Sequence, residues 1–172
     1  SVREYSVRDV FFTLWGDDGK DCSYFATLPV LYAAAKMANG EFNREKIKAE
    51  FEATYGYGFD EFMDLELPNI TEEEESHVHS PAKYLLFNDP FLGIFDSTVH
   101  KDLPQRYADA AKRLAKSING RAYDYLFDVQ QKLLCVLADK CDLGIRLRQA
   151  YQTNDRESLK KMAELDFPKV KK

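Results

Sequence analysis

The sequence predicts an all-α fold: a multi-helix bundle of about six helices, preceded by an orphan strand. Three observations carry this. Apolar residues recur at three- and four-residue spacing through most of the chain, with Gly, Pro and Asn punctuating the segments. One short run, residues 10–14 (Val-Phe-Phe-Thr-Leu), has strand length and strand composition, and nothing later looks like a partner for it. No internal repeat or low-complexity linker interrupts the pattern.

The elements follow from local chemistry. The run at 10–14 breaks into Trp15-Gly16-Asp17-Asp18-Gly19 and then enters an apolar helix. That order reads as the last βα unit of something larger. A lone strand cannot satisfy its own backbone, so it is expected to fray or to pair with a second copy of itself. Thr27 can cap the following helix, with Pro29 in its first turn and Asn39-Gly40 as its stop. Asn43 caps a second helix bearing Ile47, Phe51 and Tyr55 on one face, and Gly56 ends it. A short third helix follows Gly58, and Pro68-Asn69 breaks the pattern. Glu72 to Glu75 mark a solvated acidic loop.

Ser80-Pro81 starts the next helix, and Asn88-Asp89-Pro90 is turn chemistry. Residues 91–95 (Phe-Leu-Gly-Ile-Phe) are apolar without a clear period. Pro104 opens a helix with Tyr107, Ala111, Leu114 and Ile118 inward, ended by Gly120. From Arg121 to about Tyr151 the pattern is helical again, with Leu126, Val129, Leu133, Val136 and Leu137 as its expected inner face. Unbroken, that helix would run roughly 45 Å, and Gly144 is the place to bend it. Asn154 and Glu157 form an approximate capping box for a last helix that Phe167-Pro168 should stop.

Composition excludes several classes. Charged residues at 31% and hydrophobic residues at 45% describe a globular chain, and no apolar run can cross a bilayer. A net charge of -5 leaves no electrostatic footprint for nucleic acid. With 12 Phe and 10 Tyr against one Trp, helices are expected to pack through large side chains, or to present surface that another domain covers. Cys22, Cys135 and Cys141 form no disulfide framework and are expected as reduced core thiols. The chain opens Ser-Val-Arg, without Met or a signal peptide, and both ends read as the boundaries of an excised piece.

The residues that could carry chemistry are Trp15, Asp17 and Asp18. An indole covers the CH face of a sugar ring, and a neighbouring carboxylate can accept two hydroxyl hydrogen bonds. In a (β/α)8 barrel such groups stand at the C-terminal ends of strands, where active sites are built. From residue types alone, a buried Trp with two turn-forming acids is the better reading. Other candidates are weaker. Asp60-Glu61 is explained by Asp60 capping a helix. His77 and His79 lack a third placed ligand, so no metal site is assigned. The Gly16–Lys20 string lacks the spacing of a phosphate loop. Lys112, Arg113 and Lys116 are a solvated helix face. Residues 84–95 are either core or a surface for a missing domain or a second subunit.

The segment FTLWGDDGKDCSYFATLPVLYAAAKMA resembles the end of the catalytic barrel of family-20 glycoside hydrolases, and FxxxYGYGFDEFMDL, SPAKYLLFNDPFLGIFD and GIRLRQAY resemble the helical C-terminal domain of a bacterial branch of that family. The resemblance implies an exo-acting β-N-acetylhexosaminidase in which Trp15 walls the sugar pocket and Asp17 binds the 4- and 6-hydroxyls, with Asp18 as the alternative register. It implies a substrate-assisted reaction in which a Glu is the general acid and an Asp orients the 2-acetamido group, a route that departs from the usual two-carboxylate scheme. A barrel needs at least ~200 residues, so the catalytic pair is expected before Ser1 and no catalytic residue is assigned within the chain.

The expected organisation is therefore residues 1–22 as the tail of a truncated (β/α)8 barrel and 23–172 as a helical C-terminal domain. No cofactor is expected. The expected partners are N-acetylhexosamine-terminated oligosaccharides, the barrel that packs on this domain, and a second copy in a homodimer; nucleic acid and membrane are not expected. The alternative is a non-catalytic helical interaction module, in which Trp15 would lie in the domain's own core.

Overall fold

In the computed structural model, residues 9–15, 22–71 and 80–171 are described. The fold is all-α, and no strand occurs among the described residues. Residues 10–14 therefore do not form the expected strand. Among the described residues they have no partner to complete a ladder, and they stand exposed, with Phe11 at 88%. Asp17, Asp18, the four glutamates, His77 and His79 lie outside the described residues. The chain divides into two compact units, Ser1–Leu65 and Glu66–Lys172. That boundary falls inside the stretch which the sequence reads as one helical domain.

The first unit contains α1 (Leu28–Ala38), α2 (Arg44–Tyr55) and α3 (Phe59–Met63). Thr27 precedes α1 as expected, but its hydroxyl donates to the Tyr24 carbonyl of a 3-10 turn, Tyr24–Thr27, instead of capping the helix. Asn43 caps α2 by accepting the Lys46 N–H at 3.1 Å, and Gly56 ends it at φ 74°, a left-handed conformation that glycine adopts without strain. The core is aromatic. Phe51 is fully buried and meets Tyr32, Phe59 and Phe62 edge-on, with centroids 5.4 to 5.8 Å apart. Each such pair contributes about 0.5–1.5 kcal/mol beyond the area it buries. The cap of α3 differs from expectation. Gly58 is the N-cap, and its N–H donates to the Glu61 carboxylate at 3.0 Å, while Asp60 reaches back to Lys48 of α2 at 2.6 Å.

The second unit is built on α5 (Leu103–Ala115) and α6 (Asp124–Lys140), its most extensively packed pair. Leu103, Tyr107, Ala111 and Leu114 bury one face of α5. The Tyr107 hydroxyl donates to the Pro68 carbonyl at 3.1 Å, and burial pushes its phenol pKa up. One carboxylate holds the turn between the two helices. Asp124 Oδ2 accepts the N–H groups of Asn119, Gly120 and Arg121 at 2.7, 2.6 and 3.0 Å, which satisfies donors that the turn leaves orphaned.

The buried face of α6 is Leu126, Phe127, Gln130, Leu134 and Leu137, so the expected face is rotated. Val129 is 55% exposed. Two apolar stripes run along this helix, and the one with a polar Gln130 in it is the one that turns inward. Among the thiols only Cys141 is in the core, its pKa pushed up to about 12 by burial; Cys22 and Cys135 are exposed.

The long helix breaks at Cys141-Asp142 and resumes as α7 (Leu143–Gln152). Gly144 does not bend it. A Cβ there would lie 2.8 Å from the Pro90 carbonyl oxygen, so glycine at this position permits close approach of another backbone. The last cap sits one residue later than expected: Asn154 is left-handed at φ 54°, and Asp155 accepts the Ser158 N–H at 3.0 Å to start α8 (Arg156–Lys161). Phe167-Pro168 does not end the helix. A π-turn, Met162–Asp166, re-phases the backbone ahead of Pro168, which has no N–H to give, and α9 (Phe167–Lys171) continues. Completing the unit, α4 (Pro81–Phe87) follows Ser80 as expected.

Replacing Asp124 by Ala leaves three backbone donors of a tight turn without their acceptor. We expect Asp124→Ala to destabilise the chain by about 2 kcal/mol in urea titration, whereas Asp128→Ala, on the exposed side of the same helix, should change stability by less than about 0.5 kcal/mol.

Candidate functional site

Two places stand out. The first is Trp15. Its ring is 76% exposed, and its Nε1–H donates to the Thr13 hydroxyl at 2.7 Å. An exposed indole fixed by its one polar handle offers an apolar face to solvent, which is what stacking on a sugar ring requires. It also removes Trp15 from the domain's own core, where the interaction-module alternative would have put it. The structure places Trp15 alone of the three predicted sugar-contact residues, because Asp17 and Asp18 lie outside the described residues.

The second is the segment 84–95, which divides between the two roles open to it. Leu85 is buried, and Tyr84 and Phe95 stack on each other with centroids 4.8 Å apart. Phe87, Phe91, Leu92 and Ile94 point outward, at 77, 73, 71 and 69% exposure. Four large apolar side chains within eight residues are too many to be left in water without cost, since burying each is worth roughly 1.5–3 kcal/mol.

Polar groups hold the loop from beneath. The Asp89 carboxylate accepts the N–H groups of Phe91 and Leu92 at 2.7 and 3.1 Å, an Asx-type turn. The Gly93 N–H returns to the Asp89 carbonyl at 2.9 Å, and the Asp96 N–H to the Gly93 carbonyl at 3.1 Å. Asn88 donates through Nδ2 to Asp96 at 3.3 Å and accepts the Phe95 N–H at 3.5 Å. From α6, Lys140 donates to the carbonyls of Leu85 and Asn88 at 3.3 and 2.8 Å, so it caps the C-terminal end of α4. Partial burial holds its ammonium pKa below the usual lysine range, with Asp89 opposing that shift. From α7, Arg148 donates to the Pro90 carbonyl and pairs with the Asp96 carboxylate.

The remaining candidates serve the fold. Asp60 and Glu61 act as described, in an ion pair and at a helix start. Lys112 pairs with Asp109 on the exposed side of α5, which holds the Asp109 carboxyl below its ordinary value. The groove lined by Arg146, Asp155, Ser158, Lys161 and Asp166 has its main charges committed: Arg146 bonds Asp142 at 3.0 Å and Asp166 at 2.7 Å. Among the described residues no group of three or more His, Cys, Asp or Glu could hold a metal ion. No helix is long and apolar enough to cross a membrane among those residues. Sequence reasoning missed Lys140 and Arg148. Their only signals were the motif GIRLRQAY, in which Arg148 stands, and a glycine at 144 that was read as a bend.

The description of the Glycoside Hydrolase 20C C-terminal domain matches residues 60–172, about two thirds of the chain. The chain belongs to that family: it is a C-terminal domain of a family-20 glycoside hydrolase. No curated protein matches it. The matched segment includes the whole of α4–α9 and the clamped loop, while Trp15 lies ahead of it.

The exposure of Trp15 is directly measurable. Its emission should be quenched by iodide nearly as freely as that of N-acetyltryptophanamide, with a maximum near that of the free indole in water; a blue-shifted, iodide-resistant emission would put the ring in a core and remove it from the site.

Proposed function

We propose that the enzyme of which this chain is the C-terminal domain removes terminal β-linked N-acetylglucosamine, and N-acetylgalactosamine, from oligosaccharides. The reaction is retaining and substrate-assisted, with the 2-acetamido oxygen attacking the anomeric carbon while a carboxylic acid protonates the departing oxygen. The Asp–Glu pair for those steps belongs to the catalytic barrel and not to these 172 residues, so the chain alone hydrolyses nothing. The family match carries this reading, and the exposed indole of Trp15 supports it: Trp15 forms one wall of the sugar pocket, and Asp17, or Asp18 in the alternative register, accepts the sugar hydroxyls. No cofactor takes part.

The exposed face of the 88–96 loop is, in this reading, the surface on which the catalytic barrel packs. Three projecting apolar side chains on a polar-clamped loop, with Phe87 beside them at the end of α4, fit a partner that is a folded domain with a hydrophobic recess, and fit a soluble sugar poorly.

Losing a charge-assisted contact to sugar hydroxyls is worth about 1.5–3 kcal/mol, or roughly 10- to 100-fold. In the complete enzyme, Trp15→Ala and one of Asp17→Ala or Asp18→Ala should lower kcat/KM for a chromogenic β-N-acetylglucosaminide by that factor. The 172-residue chain alone should show no turnover. Activity from the chain alone, or wild-type kcat/KM in all three variants, would overturn the assignment.

A further inference from the structure

The three outward side chains of the loop, Phe91, Leu92 and Ile94, cannot hold it in place, because they bury little. What holds it is the set of polar groups beneath, and the two cationic members of that set come from sequence positions 52 to 58 residues away from the carbonyls they bind. Arg148 is the centre of the arrangement. Its guanidinium grips the Pro90 carbonyl on one side of the loop and the Asp96 carboxylate on the other. Two glycines keep that space open. A Cβ at Gly93, which sits at φ 61°, would collide with the Arg148 guanidinium, and one at Gly144 would meet the Pro90 backbone at 2.8 Å. Lys140 fixes the start of the loop through Leu85 and Asn88. Backbone carbonyls bound by a fork-shaped cation are held in direction as well as position.

We infer that Arg148, assisted by Lys140, is a positioning residue that holds residues 88–96 in one projecting shape before any partner arrives, so that Phe91, Leu92 and Ile94 meet the catalytic barrel as a preformed surface. This rests on the reading of that surface given above. The physical consequence is preorganisation. A loop already in its bound shape loses little conformational freedom on docking, and its affinity is correspondingly higher than that of the same side chains on a loose segment.

Two sets of variants separate the inference from the reading beneath it. Arg148→Met removes both grips, Arg148→Lys keeps the charge but not the fork, and the double variant Phe91→Ser/Leu92→Ser removes the surface but leaves the clamp. Hydrogen exchange is measured for each on the 172-residue chain, and binding of the helical domain to the barrel is measured within the complete enzyme, as the equilibrium constant for its docking in urea titration. In Arg148→Met the amides of Gly93 and Asp96 should exchange at least tenfold faster, with α5 amides unchanged, and binding should weaken at least tenfold. Arg148→Lys should fall between Met and wild type in both readouts, which also covers the case in which Arg148→Met fails to fold. The double variant should keep wild-type exchange at Gly93 and Asp96 and lose binding. Unchanged exchange in both Arg148 variants would overturn the clamp. Faster exchange with unchanged binding would overturn preorganisation. Wild-type binding by the double variant would overturn the docking reading and leave the exchange result to stand by itself.

Discussion

A chain in water does not leave several large apolar side chains on a short loop unless something stronger than their own burial fixes the backbone. Here that something is a guanidinium bound at once to a carbonyl and a carboxylate. Arg148 can reach both only because Gly144 lets the backbone at Pro90 approach α7 and Gly93 leaves room for the guanidinium. The break between α6 and α7 serves the same end, since it places Lys140 at the end of one helix and Arg148 within the next, each facing a different part of the loop. Much of the second unit's architecture can be read as the support for this contact.

The first unit obeys a different constraint. Phe51 lies at the centre of an aromatic cluster, and short polar links such as Lys48 to Asp60 tie neighbouring helices at its rim. Ahead of it, Trp15 stands in solvent with its N–H already satisfied by Thr13, ready to offer only its apolar face. A residue exposed in this way makes physical sense if a pocket wall is its purpose, which is the role proposed for it in the glycoside hydrolase.

Features set by near neighbours were legible in the sequence. Asn43 as a cap, Gly56 as a stop, Ser80-Pro81 as a start and the Tyr107–Leu114 stripe all depend on chemistry within one helical turn, and they stand where the sequence put them. Features set across the fold were not. The inward face of α6 was misread because two apolar stripes compete and tertiary packing chose the one containing Gln130. Phe167-Pro168 looked like a stop because the pattern rules assume α-helical phase, and a π-turn changes that phase. Asp60 as a cap lost to a glycine with a glutamate three residues on. For the site, the apolar character of 84–95 was plain, but its division into a stacked inner pair and an exposed outer set depends on cations more than 40 residues away, which no local pattern encodes.

The most direct test of the account is a comparison of side-chain reactivity between the complete enzyme and this chain. Hydroxyl-radical footprinting should label Phe91, Leu92 and Ile94 strongly in the 172-residue chain and find them protected in the complete enzyme, while an exposed apolar residue of α6, Val129, labels alike in both. Equal labelling of the three loop residues in both proteins would mean that nothing covers them, and the account would fail.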